Sequence, residues 1–421
     1  MSTMFENSLE CALQYDREDP LADLRSRFHI PKTESGDDCI YLCGNSLGLQ
    51  PTKTKAAIIQ ELDDWAHLGV EGHFDAKHPW MPYHENLTES YARLVGALPA
   101  EVVAMNSLTV NLHLLMVSFY RPSETRYKII IEGGAFPSDQ YAVKSQIEFH
   151  GFKPEDALIE LKPRPTERTL RKEDILETIR REGPTTALIL LGGVNYYTGQ
   201  FYPLHEVTAA GHDQGCVVGF DLAHAVGNVP LRLHDWGTDF ACWCSYKYLN
   251  SGPGSLAGCF VHQRHATTDR PRFAGWWGHD KDIRFKMGPD FHPIPGAEGW
   301  QLSNPPILSM AAVKASLELF DEVGMDALRA KSLKLTGFLL YLLDGVDGLE
   351  IMTPQAEEER GCQLSLLVDH DGRAVFDALA EAGVICDWRE PDCIRIAPVP
   401  LYNSFQDVYQ FSQILRRELA N

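Results

Sequence analysis

The sequence predicts an α/β chain, a mostly parallel sheet with helices on both faces, joined to a smaller α+β domain. Two observations carry this reading. In the middle of the 421 residues, short apolar runs rich in Val, Ile and Leu alternate with helical stretches, as strands buried on both faces alternate with crossover helices. Beyond Pro306 the pattern changes to two long amphipathic helices, then to short strands flanking a helix.

The large domain is taken as residues 56–305. Its helix MNSLTVNLHLLMVSFY (105–120) comes first, and FPSD (136–139) opens another after the strand RYKIIIEG (126–133). TTALILLGG (185–193), CVVGFDL (216–222), FACWCSY (240–246) and GSLAGCFVH (254–262) read as further strands. PLHEVTAAGHDQG (203–215) ends at a glycine and reads as the helix of a β–α–β unit. In the small domain, residues 306–421, strands around CQLSLLV (362–368) and CIRIAPV (393–399) flank the helix GRAVFDALAEAG (372–383). QDVYQFSQILRRELA (406–420) closes it, and residues 1–55 are expected to pack on it.

A formal net charge of −20 argues against nucleic acid and anionic membranes as partners. It leaves room for a small anion, because one helix terminus or one arginine outweighs the global field locally. No apolar run reaches the roughly 18 residues of a membrane span, and the acidic N-terminus does not read as a secretory signal. The ten cysteines form no framework; Cys242 and Cys244 lie in an apolar strand-like run. Buried free thiols in the cytoplasm are expected. The sixteen histidines show no HExxH pattern, so no metal is expected.

The chemistry concentrates in GFDLAHAVGNVPLRLHDWGTDFACWCSYKYLNSGPGSLAGCF (219–260). One strand ends in Asp221, at the sheet edge where open α/β folds bind ligands. The next, among the most apolar runs in the chain, ends in Lys247. Separately, these residues would read as a turn aspartate and a snorkelling lysine. Together they supply what pyridoxal phosphate needs: an amine for a Schiff base, and a carboxylate for the protonated pyridine nitrogen. A phosphate calls for orphan N–H groups at a helix start and for hydroxyls. Ser107 and Thr109 begin one helix and Ser138 another, although plain N-capping would also explain each. Tyr246 stands beside the lysine, and Phe136 is placed to stack on a pyridine ring. Gly252, Gly254 and Ala257 satisfy the dinucleotide pattern GxGxxA, but a strand-like GCFV follows where that pattern requires a helix.

With these motifs in place, the sequence resembles the kynureninase family of aspartate-aminotransferase-like, fold type I pyridoxal enzymes. The likeness runs from YLCGNSLGLQP (41–51) to RIAPVPLYNSF (395–405), through EGGAFPSD, GVNYYTGQ, FDLAHAVGN, CSYKYLN, GWWGHD and SNPPIL. The resemblance implies that Lys247 carries the Schiff base, Asp221 pairs with the pyridine nitrogen and His224 lies beside the cofactor. It implies that Leu108, Thr109, Phe136, Pro137, Ser138 and Asp139 contact the cofactor, and that Tyr246 holds the phosphate and relays a proton. Trp276 and Asn304 would enter the site from a second subunit of a homodimer. Arg395, which alternates with Ile394 and Ile396 along a strand and so is expected to face away from the apolar side, would grip the substrate carboxylate, with Ser46, His73 and Asn304 also toward substrate. One departure stands out: Gly192 replaces a serine that relatives can offer to the phosphate.

The implied reaction is hydrolysis of L-kynurenine or 3-hydroxy-L-kynurenine to an anthranilate and L-alanine, in tryptophan degradation or nicotinamide-cofactor biosynthesis. The pair His73 and Asn304 points to the hydroxylated substrate. Two other functions compete: another fold type I enzyme, such as a cysteine desulfurase or an aminotransferase, and a non-catalytic binding protein. A desulfurase would need a cysteine on an exposed loop.

Overall fold

The computed structural model describes residues 5–420. A two-residue strand, β1 (Ile40–Tyr41), precedes those of the large sheet. These are β2 (Val102–Ala104), β3 (Lys128–Glu132), β4 (Leu158–Leu161), β5 (Thr186–Gly192), β6 (Val217–Asp221), β7 (Phe240–Trp243) and β8 (Gly258–Val261). Their spatial order is β2-β8-β7-β6-β5-β3-β4. From β4 to β7 neighbours are parallel, and β8 runs antiparallel to both β7 and β2. β2 and β4 are not legible in the sequence: β2 has only three residues, and Glu160 interrupts the apolar run of β4, LIEL, which is mostly half-buried.

Alternation along β5 shows why these strands are apolar throughout. Ile189 and Leu191 enter one core with Val207 and Phe220, whereas Leu188 and Leu190 enter the opposite one with Leu112 and Val143. A strand covered on both faces has no side left for polar residues. The chain leaves β3 outward to β4 but leaves β5 in the other direction, to β6. The carboxyl ends of β3 and β5 therefore flank a topological switch point, where such sheets form a crevice. Glu132 ends β3, and Gly192 ends β5 in register with Asp221 of β6.

The strand expected to run to Lys247 stops at Trp243. The backbone beyond it is claimed by a turn instead of the ladder: Ser251 N–H donates to Ser245 O at 3.0 Å and Asn250 N–H to Lys247 O at 3.0 Å. Lys247 thus stands half-buried on a loop, not at the end of a buried strand. Ala257 leads directly into β8, so no helix follows the GxGxxA segment.

The second unit holds β9 (Leu349–Ile351), β10 (Leu364–Val368), β11 (Val384–Ile385), β12 (Asp387–Arg389) and β13 (Cys393–Ile396). Four of them form an antiparallel sheet in the order β12-β13-β10-β9, and β11 pairs in parallel with β1. Ala12, Ile40 and Leu42 share one core with Leu339, Ile394 and Phe411, whereas Leu24, Phe28 and Leu49 belong to the core of the large sheet. The helix Ile307–Val323, read from sequence as part of the small domain, buries Met310, Val313 and Leu317 in the core of the large sheet.

Candidate active site

A cavity of about 160 Å³ lies at the switch point, lined by the ends of β3, β5 and β6, two helix starts and the lysine loop. The helix Leu108–Phe119 begins after Asn106, whose φ of +49° reverses the chain. Asn111 fixes that reversal, accepting from Asn106 Nδ2 at 3.0 Å and donating to Met105 O at 2.8 Å. Among the described residues no side chain caps this helix or the helix Pro137–Phe149, so N–H groups of their first turns, such as those of Thr109 and Ser138, can face an anion. Thr109 Oγ1 and Ser138 Oγ, one from each helix start, lie 2.9 Å apart.

Lys247 Nζ is 2.8 Å from Nε2 of His224. Burial, reinforced by the positive charges of Lys247, Arg395 and Arg389, holds the His224 imidazole well below its ordinary pKa. The ring is therefore neutral and accepts from the lysine at Nε2, which leaves its proton on Nδ1, buried and unpartnered. Phe136 is 43% exposed, edge-on to Tyr196, with its ring centroid 5.8 Å from Lys247 Nζ. Tyr246 lies next to the lysine, its O accepting from Gly48 N–H at 2.8 Å. Burial also pushes its phenol above the ordinary range.

Three buried carboxyl groups face this lysine. Asp221 Oδ1 accepts from Ala223 N–H at 2.8 Å. Asp139, with Oδ1 unpartnered, is raised well above the usual carboxylate range by burial and then by the charge of Asp221. Glu132, pushed up by burial to about 7, did not emerge from the sequence. The signal was there: KIIIE ends in a carboxylate at the same sheet edge as GFD.

This donor set fits pyridoxal phosphate. The uncapped helix starts with Thr109 and Ser138 suit a phosphate, the amine of Lys247 suits a carbonyl carbon, and a cationic ring nitrogen would balance buried acids that lack one. Gly192 offers no hydroxyl; a Cβ there would come within 2.8 Å of Glu132 Oε1.

Other expected site residues lie apart from the cavity. Trp276 and Asn304 are both exposed and joined to each other, Trp276 Nε1 donating to Asn304 Oδ1 at 2.9 Å. Among the described residues His73 has no hydrogen-bond partner at Nε2; its Nδ1 donates to Val70 O at 2.9 Å and its ring stands edge-on to Trp80. Ser46 sits in the turn Cys43–Leu47 beside the lysine loop. Arg395 does not face away from the apolar side with a free head group: it is 1% exposed, paired with Asp387, and donates to Tyr196 O at 2.5 Å. The contact with Tyr196, a cavity residue, puts it behind the cavity wall. Two groups, His84–Glu85–Glu298 and Glu101–His234–His262, bring metal-ligating atoms together. Their own hydrogen bonds fill them: Lys281 bridges Glu85 and Glu298, and Glu101 accepts from His234, Gln263 and Leu98.

The family model described as the kynureninase C-terminal domain matches residues 328–415. A protein named kynureninase from Koribacter versatilis (strain Ellin345) is 61% identical, covering 97% of each chain. Another from Myxococcus xanthus (strain DK1622) is 60% identical over 98% of this chain and 97% of its own. Among solved structures, the cysteine desulfurase CsdA from Escherichia coli superposes with a TM-score of 0.77 at 18% identity, covering 95% of this chain and 98% of that one. A C-DES variant with glycine linked covalently to its pyridoxal phosphate gives a TM-score of 0.76 at 17% identity, covering 90% and 96%. At such identities these structures speak to the fold, which is the fold type I architecture.

Proposed function

The chain belongs to the kynureninase family, and from that premise we propose that Lys247, Asp221 and Tyr246 carry its reaction in the cavity at the switch point. The chain is a hydrolase of carbon–carbon bonds that splits the Cβ–Cγ bond of a kynurenine, giving an anthranilate and L-alanine in tryptophan degradation. L-kynurenine and 3-hydroxy-L-kynurenine are the proposed substrates. Anthranilate formation in the cytoplasm and a link to nicotinamide-cofactor biosynthesis belong to the same reading; ten free cysteines suit a reducing compartment.

Bound pyridoxal phosphate supplies an electron sink for the negative charge left when substrate bonds break. Lys247 is the residue to which we assign its covalent attachment. The first turns at Leu108, Thr109, Pro137 and Ser138, with Tyr246, would receive the phosphate, and Phe136 would cover the ring. Asp221, backed by Asp139, would hold a proton on the ring nitrogen. Lys247 then moves the proton at the substrate α-carbon, and neutral His224 receives its N–H and keeps the amine aimed into the cavity. The Tyr246 hydroxyl, kept protonated by its raised pKa, is the donor at hand for a second proton transfer.

The Trp276–Asn304 pair is exposed and apart from its own chain's cavity, which supports a homodimer in which each subunit lends it to the other. His73 lies on a segment tied to the same region: Lys281 bridges Glu85 and Glu298 at 2.8 and 2.7 Å. With Nδ1 engaged by Val70 O, Nε2 of His73 is the ring nitrogen left to meet a ring hydroxyl. Arg395 is assigned to the substrate carboxylate, with Ser46 near the entrance.

The observation that carries this reading is the 2.8 Å contact of Lys247 with neutral His224 among three buried carboxyl groups. Release of fluorescent anthranilate from kynurenine by the purified, cofactor-loaded protein tests it. Turnover with equimolar alanine is expected; sulfide release from cysteine without any anthranilate would overturn it.

A further inference from the structure

Glu132 is a cavity group to which the reading above gives no role. It ends β3 and is 4% exposed. Both its oxygens lie 3.1 Å from one backbone donor, the N–H of Gly192. A Cβ at Gly192 would come within 2.8 Å of Oε1, so the carboxylate fills the room of a side chain at the end of β5. Gly192 is in register with Asp221, which brings Glu132 to the same wall of the cavity as Asp221 and Asp139.

Backbone N–H groups, that of Gly192 and its own, do not require a charged acceptor; an amide oxygen would satisfy them. A buried carboxylate with so little compensation is costly unless a cation arrives nearby. We propose that Glu132 is a positioning residue that acts through Asp221, its charge helping Asp221 keep the cofactor's ring nitrogen protonated. This rests on the assignment of Asp221 to that nitrogen. The groups that face Glu132 are Asp221 from β6, Asp139 from the helix Pro137–Phe149 and Tyr202 from the segment after β5, with Lys247 across the cavity. Burial places the Glu132 pKa at about 7, and a cation beside Asp221 favours its charged form.

The test is holoenzyme reconstituted with pyridoxal phosphate carrying ¹⁵N in the ring, whose resonance is followed against pH. Loss of a nearby negative charge disfavours a cationic nitrogen, so the E132Q midpoint should fall by about one pH unit. E132D, which keeps the charge, should return most of that shift, and D221N should lower the midpoint further than E132Q does. A merely structural Glu132 predicts no movement in E132Q, because the glutamine oxygen still accepts from Gly192. If D221N moves the resonance and E132Q does not, the proposal is overturned while the Asp221 assignment stands. If neither moves it, both are overturned. Should E132Q fail to load cofactor, E132N against E132D, side chains of equal length that differ in charge, decides: a midpoint about one unit lower in E132N supports the charge role, and equal midpoints overturn it.

Discussion

Lys247 Nζ meets Nε2 of His224 at 2.8 Å, and the histidine is neutral because it is buried among positive charges. The amine is therefore held by an acceptor that does not compete for its charge. Lys247→Ala should abolish borohydride-trapped cofactor and lower turnover by at least about 10²-fold, the scale of a lost proton-transfer group. Mass spectrometry of the reduced protein checks it, and an adduct on Lys128 or Lys286 would refute the assignment. His224→Phe should leave the covalent attachment in place and slow turnover.

Asp221→Asn should keep the covalent cofactor and reduce kcat, since the amide cannot stabilise a cationic ring nitrogen. Asp139, raised by burial and by the charge of Asp221, should then titrate closer to the usual carboxylate range. Infrared difference spectra of the carboxyl band check that shift, and unchanged kcat would mean another group faces the nitrogen.

Arg395→Lys should raise KM for kynurenine more than it changes cofactor occupancy, because lysine cannot reproduce a two-bond grip on a carboxylate. The buried pairing with Asp387 adds a stability effect. Arg395→Ala should destabilise the small domain by about 3 kcal/mol, the scale of a buried charge left without its partner. Arg389, 3.1 Å from the same carboxylate, softens that loss. Thermal melting beside steady-state kinetics separates the two roles.

For substrate choice and subunit sharing, 3-hydroxykynurenine should be preferred about ten-fold in kcat/KM, the discrimination of one satisfied hydroxyl. Asn304→Leu should narrow that ratio. With Trp276 proposed to serve the neighbouring subunit's site, Lys247→Ala and Trp276→Ala, each inactive alone, should regain activity when unfolded and refolded together. No recovery would place Trp276 outside the neighbour's site.

Acid stability should depend on Glu298. Burial alone would raise its pKa, but hydrogen bonds from His84 and Lys281 outweigh that and hold it at about 2. A folded pKa below the unfolded value of ~4.3 gives stability that is complete above pH ~4.5 and lost as pH falls toward 2. Its size is on the order of 2–3 kcal/mol. Glu298→Gln should lower the melting temperature at pH 7 and narrow the gap to wild type near pH 2.5; an unchanged gap across that range would refute the linkage.

By itself the sequence determined the fold class and the centre of the cavity. Runs such as TTALILLGG read as strands buried on both faces, and their alternation with helical stretches points to a helix-covered, mostly parallel sheet. Its strand ends then put Asp221 and Lys247 at one edge, while FPSD and the start at Ser107 read as helix N-termini. Which of these groups meet was decided by tertiary structure, because strand order is not written in local periodicity. The order β6-β5-β3 makes Glu132 a neighbour of Gly192 and Asp221 although 60 residues separate it from Gly192 in sequence. Burial, also a tertiary property, keeps His224 neutral and turns Arg395, seen in sequence as an outward strand residue, into a paired charge behind Tyr196. Lys247 lies on a turn and not a strand because the 245–251 loop closes on its own backbone hydrogen bonds, which an apolar run does not announce.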